Sequence, residues 1–417
     1  MSEIENQPFR QALPARYRFQ HILGSLIGRR FDHLLDGITI GQLSLTWPDG
    51  HVTKHGVKSD DLSLNAHLTL RNFKPIRQLL LTGENGFAEC YLRGDWTSDS
   101  LRNLFTLIMN NRGEVDAITT GSWYAKLANS IRHRLNHNSL RGSQRNIEFH
   151  YDLGNNFYEL WLDPSMSYSS GVFEGDESLE IAQRNKIDKV VDYLQPAVGS
   201  RVLEIGCGWG ALAHRLASSS DCHVEGISLS HEQLKYAVDN HTLHPTGNAS
   251  GSTEFRYQDY RAVDGKYDHI VSIEMFEAVG EKYWTTYFNK LADLLNEGGS
   301  AVLQVITIEE EGYEEYKASP DFIQRYIFPG GMLPTKTHLR ELVHKAGFEL
   351  VKSDWFGPSY GQTLEHWRER FEQVSREVVA LGFDERFLHM WRYYLNYCET
   401  GFRFGRTDVG QFLLAKR

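Results

Sequence analysis

Val202-Leu203-Glu204-Ile205-Gly206-Cys207-Gly208-Trp209-Gly210 is the stretch whose reading decides the fold. Residues 201–205 are a short apolar run of strand type, and Ala211-Leu212-Ala213-His214-Arg215-Leu216-Ala217 carries apolar side chains at helical spacing. Between the two, glycines at 206, 208 and 210 let the main chain bend sharply and approach a ligand more closely than side chains would otherwise permit. Strand, tight turn and helix in that order make the nucleotide-binding corner of an α/β sheet.

The glycines follow Gly-x-Gly-x-Gly rather than Gly-x-Gly-x-x-Gly, and the acidic Glu204 lies just before the turn. A pyrophosphate gains little from a carboxylate there, whereas the α-ammonium of a methionine moiety gains a charge-assisted hydrogen bond. The pattern favours S-adenosylmethionine over a dinucleotide. A β-α turn that holds no ligand is the plain alternative.

Working outward, strands read at 222–227, 254–258, 269–272 and 300–306, with helices at 231–240 and 282–295. This alternation predicts an α/β class fold, a doubly wound, mostly parallel sheet whose ligands bind beyond the carboxyl ends of the strands. Those ends are 206–210, 228–233, Asp259-Tyr260-Arg261, Met275-Phe276-Glu277 and 304–308. Ahead of this region, residues 146–158 are dense in aromatics and amides, and 166–171 form a small-residue loop before a helix at 179–194.

The N-terminal part reads as a smaller mixed α+β domain. Residues 38–47 alternate polar and apolar and Pro48-Asp49-Gly50-His51 supplies a turn, so a hairpin is expected. Residues 62–70 alternate again, 77–81 and 87–92 read as helix or strand leading into a further strand, and 101–109 as a helix. The expected organisation is a lipid- or membrane-docking domain at 1–111, a basic helical connector at 112–145 and a cofactor-binding domain at 146–417. A purely structural cap is the other reading of the first of these.

At 417 residues the chain has room for two or three domains, and 41% hydrophobic with 24% charged residues is ordinary for a soluble protein. No apolar run approaches the ~20 residues that span a bilayer, and the polar, acidic opening MSEIENQPFR is no secretory signal. Four cysteines without metal-ligand spacing suit a reducing compartment and suggest neither zinc nor a disulfide framework. A net charge of −10 argues against nucleic acid as a partner. Between Lys126 and Arg145, however, lie Arg132, Arg134 and Arg141 with no acidic residue. That segment is either a solvated helix face or a contact for anionic phospholipid headgroups. The expected location is cytoplasmic, peripherally attached to the inner face of the membrane.

The chain resembles the cyclopropane-fatty-acyl-phospholipid synthases, the class I methyltransferase family that includes the mycolic acid cyclopropane synthases. The matching pieces are Tyr151-Asp152-Leu153-Gly154-Asn155, Tyr168-Ser169, the glycine turn, Ser228-Leu229-Ser230-His231-Glu232-Gln233, Gln258-Asp259-Tyr260-Arg261, Met275-Phe276-Glu277-Ala278-Val279-Gly280, Tyr326 through Pro334 and Tyr393-Tyr394-Leu395-Asn396-Tyr397-Cys398. They run in family order from about residue 146 to the C-terminus, whereas the first 110 or so residues match loosely. The resemblance implies that Tyr168, Ser169, the turn from Val202 to Gly210, Ser228 to Gln233 and Tyr260-Arg261 hold S-adenosylmethionine. By their own chemistry Ser228 or Gln233 suits the ribose hydroxyls, and Asp259 the adenine amino group.

The activity implied is methyl transfer from S-adenosylmethionine to the double bond of unsaturated phospholipid acyl chains. A bound bicarbonate then removes a proton from the new methyl so that a cyclopropane closes. The residues implied to hold bicarbonate match at Glu277, the Ile306 main chain and Tyr394. Ser170 stands where the family has a cysteine, and Gln304 where it has a histidine. Gln304 keeps a donor but carries no proton or positive charge, which opens the alternative of alkene methylation without ring closure. Cys398 has either a chemical role or only a packing one beside Tyr394. The expected partners are acyl chains at an anionic membrane surface, and a homodimer stays open. A same-fold transferase acting on a small soluble molecule, and a lipid-binding protein without chemistry, are the remaining readings.

Overall fold

The computed structural model describes residue 28 and residues 31–113, 153–244 and 251–417. The chain divides into two compact units, Met1–Trp123 and Tyr124–Arg417. The basic run around Arg132, Arg134 and Arg141, and the pair Tyr151-Asp152, lie outside the described residues.

In the first unit, β1 (Gln42–Thr46) and β2 (Val52–Gly56) form the expected hairpin, closed by Trp47 and His51. β3 (Asn65–Leu70) runs parallel to β1, and β4 (Trp96–Ser98) pairs antiparallel with β3. The region read as helix or strand is two helices, α1 (Lys74–Thr82) and α2 (Glu84–Leu92). Pro75 opens the first of them, and Gly83, at φ +67°, breaks the chain between them. Among the described residues of this unit, the only strand that follows is the short β4. α3 (Leu101–Asn110) starts on Ser100, whose side chain accepts the Asn103 N–H.

The second unit is built on a seven-stranded sheet of order β10-β11-β9-β8-β5-β6-β7. Its strands are β5 (Arg201–Ile205), β6 (His223–Ser228), β7 (Ser252–Tyr257), β8 (Tyr267–Ile273), β9 (Leu295–Ile308), β10 (Phe348–Trp355) and β11 (Thr407–Lys416). The pairs from β9 through β7 are parallel, whereas β11 is antiparallel to both β9 and β10. Each central strand is apolar on both faces because helices cover both. Leu203, Ile270 and Leu303 face one core with Phe288 and Leu291 of α8 (Trp284–Leu294). Their neighbours Val202, Val271 and Val302 face the other, with Val190 of α5 (Leu179–Leu194) and Leu216 of α6 (Ala211–Ser220). Each of these fully buried side chains contributes about 1.5 to 3 kcal/mol.

Strand order reverses at β5, which lies between β8 and β6. The crevice where ligands bind in such sheets is therefore at the carboxyl end of β5, at the glycine turn. α4 (Asn155–Glu159), α12 (Gly357–Gln373) and α14 (Glu385–Arg403) bring aromatic side chains together beside the Tyr168 loop.

Candidate active site

The turn after β5 has Gly206, Gly208 and Gly210 all at positive φ. At Gly210 a Cβ would collide with Ala237 and Phe255, so this glycine is a packing requirement. At Gly208 a Cβ would meet nothing, which leaves the main chain bare toward open space. Trp209 is buried and donates its indole N–H to Asn155, whose amide in turn donates to the Glu232 carbonyl. Asn155 therefore ties the turn to the start of α7 (His231–His241).

Behind the turn, Glu204 is buried, and one of its carboxyl oxygens has no partner. Burial pushes its pKa up to about 8, even though the Lys186 ammonium pulls the other way. A buried oxygen without a donor next to a bare glycine turn is what an ammonium ligand completes. These residues fit S-adenosylmethionine. Val202, Leu203, Ile205 and Cys207 are buried and shape the turn from below, and burial pushes the Cys207 thiol well above its usual range.

At the next strand end, Ser228 donates to the Gln233 side chain at 3.0 Å and accepts from the Ser230 N–H. Ser230 caps α7 by accepting the Gln233 N–H. Leu229, His231 and Glu232 complete the loop, where the His231 ring stacks on Tyr257 at 4.0 Å. Asp259, read from the sequence as a partner for the adenine amino group, also accepts from Arg261 on both of its carboxylate oxygens, at 2.8 and 2.6 Å. Asp259 thus fixes Arg261, which lies over the rings of Tyr260 and Tyr283.

The Tyr168 loop meets α14 directly. The Tyr168 and Tyr394 hydroxyls share a 2.8 Å hydrogen bond, and Tyr168 sits among Tyr158, Trp161, Phe328 and Trp367. Ser169 accepts from Lys186, a buried ammonium whose pKa burial lowers while Glu274, Asp163 and Glu204 oppose the shift. Cys398 lies one helical turn beyond Tyr394, and burial keeps it a thiol, well above the range where a thiolate forms.

Sequence reasoning missed Glu274 and Tyr360. Glu274 follows β8 at φ +50°, and its carboxylate accepts the Ser170 N–H at 3.0 Å, the Gln304 amide at 2.7 Å and the Tyr360 hydroxyl at 2.7 Å. The signal that picks out Glu204, an acid at the end of an apolar strand, is equally present at Glu274. Tyr360, on α12, carries no such signal.

The chain matches the mycolic acid cyclopropane synthetase family over residues 138–412. The chain belongs to this family. Tuberculostearic acid methyltransferase of Mycobacterium tuberculosis is 37% identical over 342 residues, covering 79% of this chain and 78% of its own. Cyclopropane-fatty-acyl-phospholipid synthase of Escherichia coli is 34% identical over 357 residues, covering 85% and 89%. A mycolic acid cyclopropane synthase solved with S-adenosylhomocysteine is 31% identical with a TM-score of 0.60, covering 66% of this chain and 98% of its own. This member is an S-adenosylmethionine-dependent methyltransferase of the class I fold, with the mixed N-terminal sheet in addition.

The family resemblance places bicarbonate among Glu277, Ile306, Tyr394, Ser170 and Gln304. The Ile306 N–H already donates to Glu277 at 2.5 Å, and the Ser170 hydroxyl to the Gly171 carbonyl. The Ser170 N–H and the Gln304 amide donate to Glu274. The Ile306, Ser170 and Gln304 donors assigned to bicarbonate are engaged by the protein's own groups and Tyr394 is hydrogen-bonded to Tyr168, so in this arrangement those donors do not fit that anion.

Proposed function

We propose that the chain transfers the methyl of S-adenosylmethionine to the double bond of an unsaturated phospholipid acyl chain and closes a cyclopropane there. The observation that carries this reading is the aromatic cluster around Tyr168, in which Tyr158, Trp161, Trp367, Trp391 and Tyr394 are all buried.

When bound, S-adenosylmethionine supplies an electrophilic methyl on a positively charged sulfur. An alkene is a weak nucleophile, and its methylation leaves a carbocation that water would trap. The packed tryptophans help to exclude water, and the partly exposed Tyr168 can place a ring beside that charge. The Tyr168 and Tyr394 hydroxyls are tied to each other, which fixes both phenols in place. Glu277 supplies the carboxyl group nearest the Ile306 main chain, where it can steady the cation.

The residues at 326–334 support an acyl substrate rather than a small polar one: Ile327 and Met332 are buried, and Phe328 contacts both Tyr168 and Tyr394. Delivery from an anionic membrane surface, by the N-terminal domain and the basic run, is part of the same proposal. Among the described residues no helix is long and apolar enough to cross a membrane.

A second reading, methylation with the unsaturation retained, is favoured by Gln304 in place of histidine and by the similarity to a tuberculostearic acid methyltransferase. The test is proton NMR of lipid extracted after reaction of the protein with S-adenosylmethionine and unsaturated phospholipid vesicles. Upfield cyclopropane methylene signals are expected. A methyl-branched alkene without them replaces the first reading by the second, and unchanged lipid overturns both.

A further inference from the structure

At β8 and β9, Ile273 is in register with Gln304, and the Glu274 N–H donates to the Gln304 carbonyl at 2.8 Å. The side chain of Glu274 thereby falls beside that of Gln304. Gln304 is fully buried, and its cross-strand partner Gln411 donates to its side-chain oxygen at 3.0 Å. That contact leaves the Gln304 nitrogen directed at Glu274. Ser170 and Tyr360 supply the other two donors, and the buried Lys186 ammonium adds a favourable charge.

The carboxylate is held as a small oxyanion would be: by a main-chain N–H, an amide N–H and a phenol O–H, all neutral. It meets the same Ser170 and Gln304 that the family resemblance assigns to bicarbonate. The residue keeps part of its surface accessible, and its backbone is in a region that favours glycine, a strain found where function holds a side chain in place. The charge of Glu274 raises the cost of ionising neighbouring Glu277.

We infer that the Glu274 carboxylate stands in for bicarbonate in this chain and is the group that accepts the proton released on ring closure. This rests on the alkene-methylating reading above. The alkene π pair forms a bond to the methyl carbon as the methyl–sulfur bond breaks, that pair staying on sulfur and the adjacent alkene carbon becoming cationic. Glu274 then takes a proton from the new methyl group. The freed C–H pair makes the third bond of the ring, and Glu274, now neutral, returns its proton to solvent before the next turnover. Gln304, Tyr360 and Gln411 are positioning residues. A glutamine in place of histidine is expected here, because an imidazolium would form an ion pair with Glu274 and weaken it as a base.

The test uses the full-length protein and two separate readouts. In the first, carbon NMR of isotope-labelled bicarbonate measures binding with no lipid substrate present. No line broadening is expected with the native protein, and saturable broadening with Glu274→Gly, which opens the carboxylate's place without straining the backbone. In the second, methyl transfer to unsaturated phospholipid vesicles is followed in carbonate-free buffer. The native rate should not change on adding bicarbonate. Glu274→Gln should lose at least about a hundredfold in turnover while binding S-adenosylmethionine as the native protein does. Glu274→Gly should regain turnover when bicarbonate or formate is added. Saturable bicarbonate binding by the native protein, bicarbonate-dependent native turnover, or a Glu274→Gln variant within about threefold of native turnover overturns the inference. Should Glu274→Gln fail to fold, the two measurements on the native protein decide. Native protein that methylates no lipid refutes the reading of function, while the binding readout still judges the Glu274 site.

Discussion

The Ile306 main-chain N–H donates to one carboxylate oxygen of Glu277 at 2.5 Å, and the other oxygen of Glu277 is closed off from solvent without a partner. Burial first, and the charge of Glu274 second, push the Glu277 pKa up to about 8. A carboxyl group so poorly solvated is stabilised when a cation forms beside it, which makes its contribution specific to the reaction rather than to cofactor binding. Glu277→Gln should lower kcat by about a hundredfold or more while S-adenosylmethionine affinity stays within about threefold. Steady-state kinetics and calorimetry on the same preparation check this, and equal losses in both would refute it.

Glu204 should make cofactor binding release a proton. Its pKa of about 8 in the folded protein lies above the ordinary 4.5, so the folded state holds a proton there that the unfolded state gives up. Without ligand, stability contributed by this group therefore falls as pH rises from 4.5 toward 8. An ammonium placed beside it reverses the preference and ionises the carboxyl. S-adenosylmethionine affinity should rise with pH up to about 8, with proton release near neutral pH visible as a dependence of binding heat on buffer ionisation enthalpy. Glu204→Gln should abolish the release.

The Tyr168–Tyr394 hydrogen bond, made across 226 positions of sequence, should show as a coupling energy. Tyr168→Phe and Tyr394→Phe each leave the other phenol without this partner, and the double variant removes both groups. A double-mutant cycle on denaturant unfolding should give a coupling of about 0.5 to 1.5 kcal/mol, and none would mean that the bond is not formed in solution.

Gly208 and Gly210 should separate binding from folding. Both lie at positive φ, at +52° and +94°, but only at Gly210 does an added Cβ meet other atoms, at 2.9 Å. Gly208→Ala should cost about 1 to 2 kcal/mol of stability from the backbone alone, with a clear loss of S-adenosylmethionine affinity. Gly210→Ala should be the more destabilising of the two. Thermal melts with and without cofactor measure both, and the reverse order of stability would contradict the assignment.

Membrane delivery should depend on salt. If the basic run draws the chain to anionic lipid, sedimentation with anionic vesicles should fall as ionic strength rises. Neutralising Arg132, Arg134 and Arg141 together should weaken it further. Vesicle binding that ignores both changes rules the basic run out as the contact.

The sequence by itself determined the sheet and the strand end at which its candidate site is read. Period-2 and helical patterns, with three glycines after an apolar strand, are local properties, and the α/β order that they imply leaves one crevice for a ligand. The helix predicted at 179–194 is α5. Residues 77–81 and 87–92 were legible only as helix or strand, because runs that short fit either period. What the tertiary structure decided is which polar groups satisfy one another. Glu274 meets Gln304 because parallel strands β8 and β9 set Ile273 opposite Gln304, and it meets Tyr360, 86 positions away, because α12 returns to the same strand ends. Register and helix placement come from packing the two cores, not from the residues around either partner. A buried donor and acceptor must find each other within that packing or be lost to solvation cost, so the pairing that sets the chemistry follows from the fold as a whole.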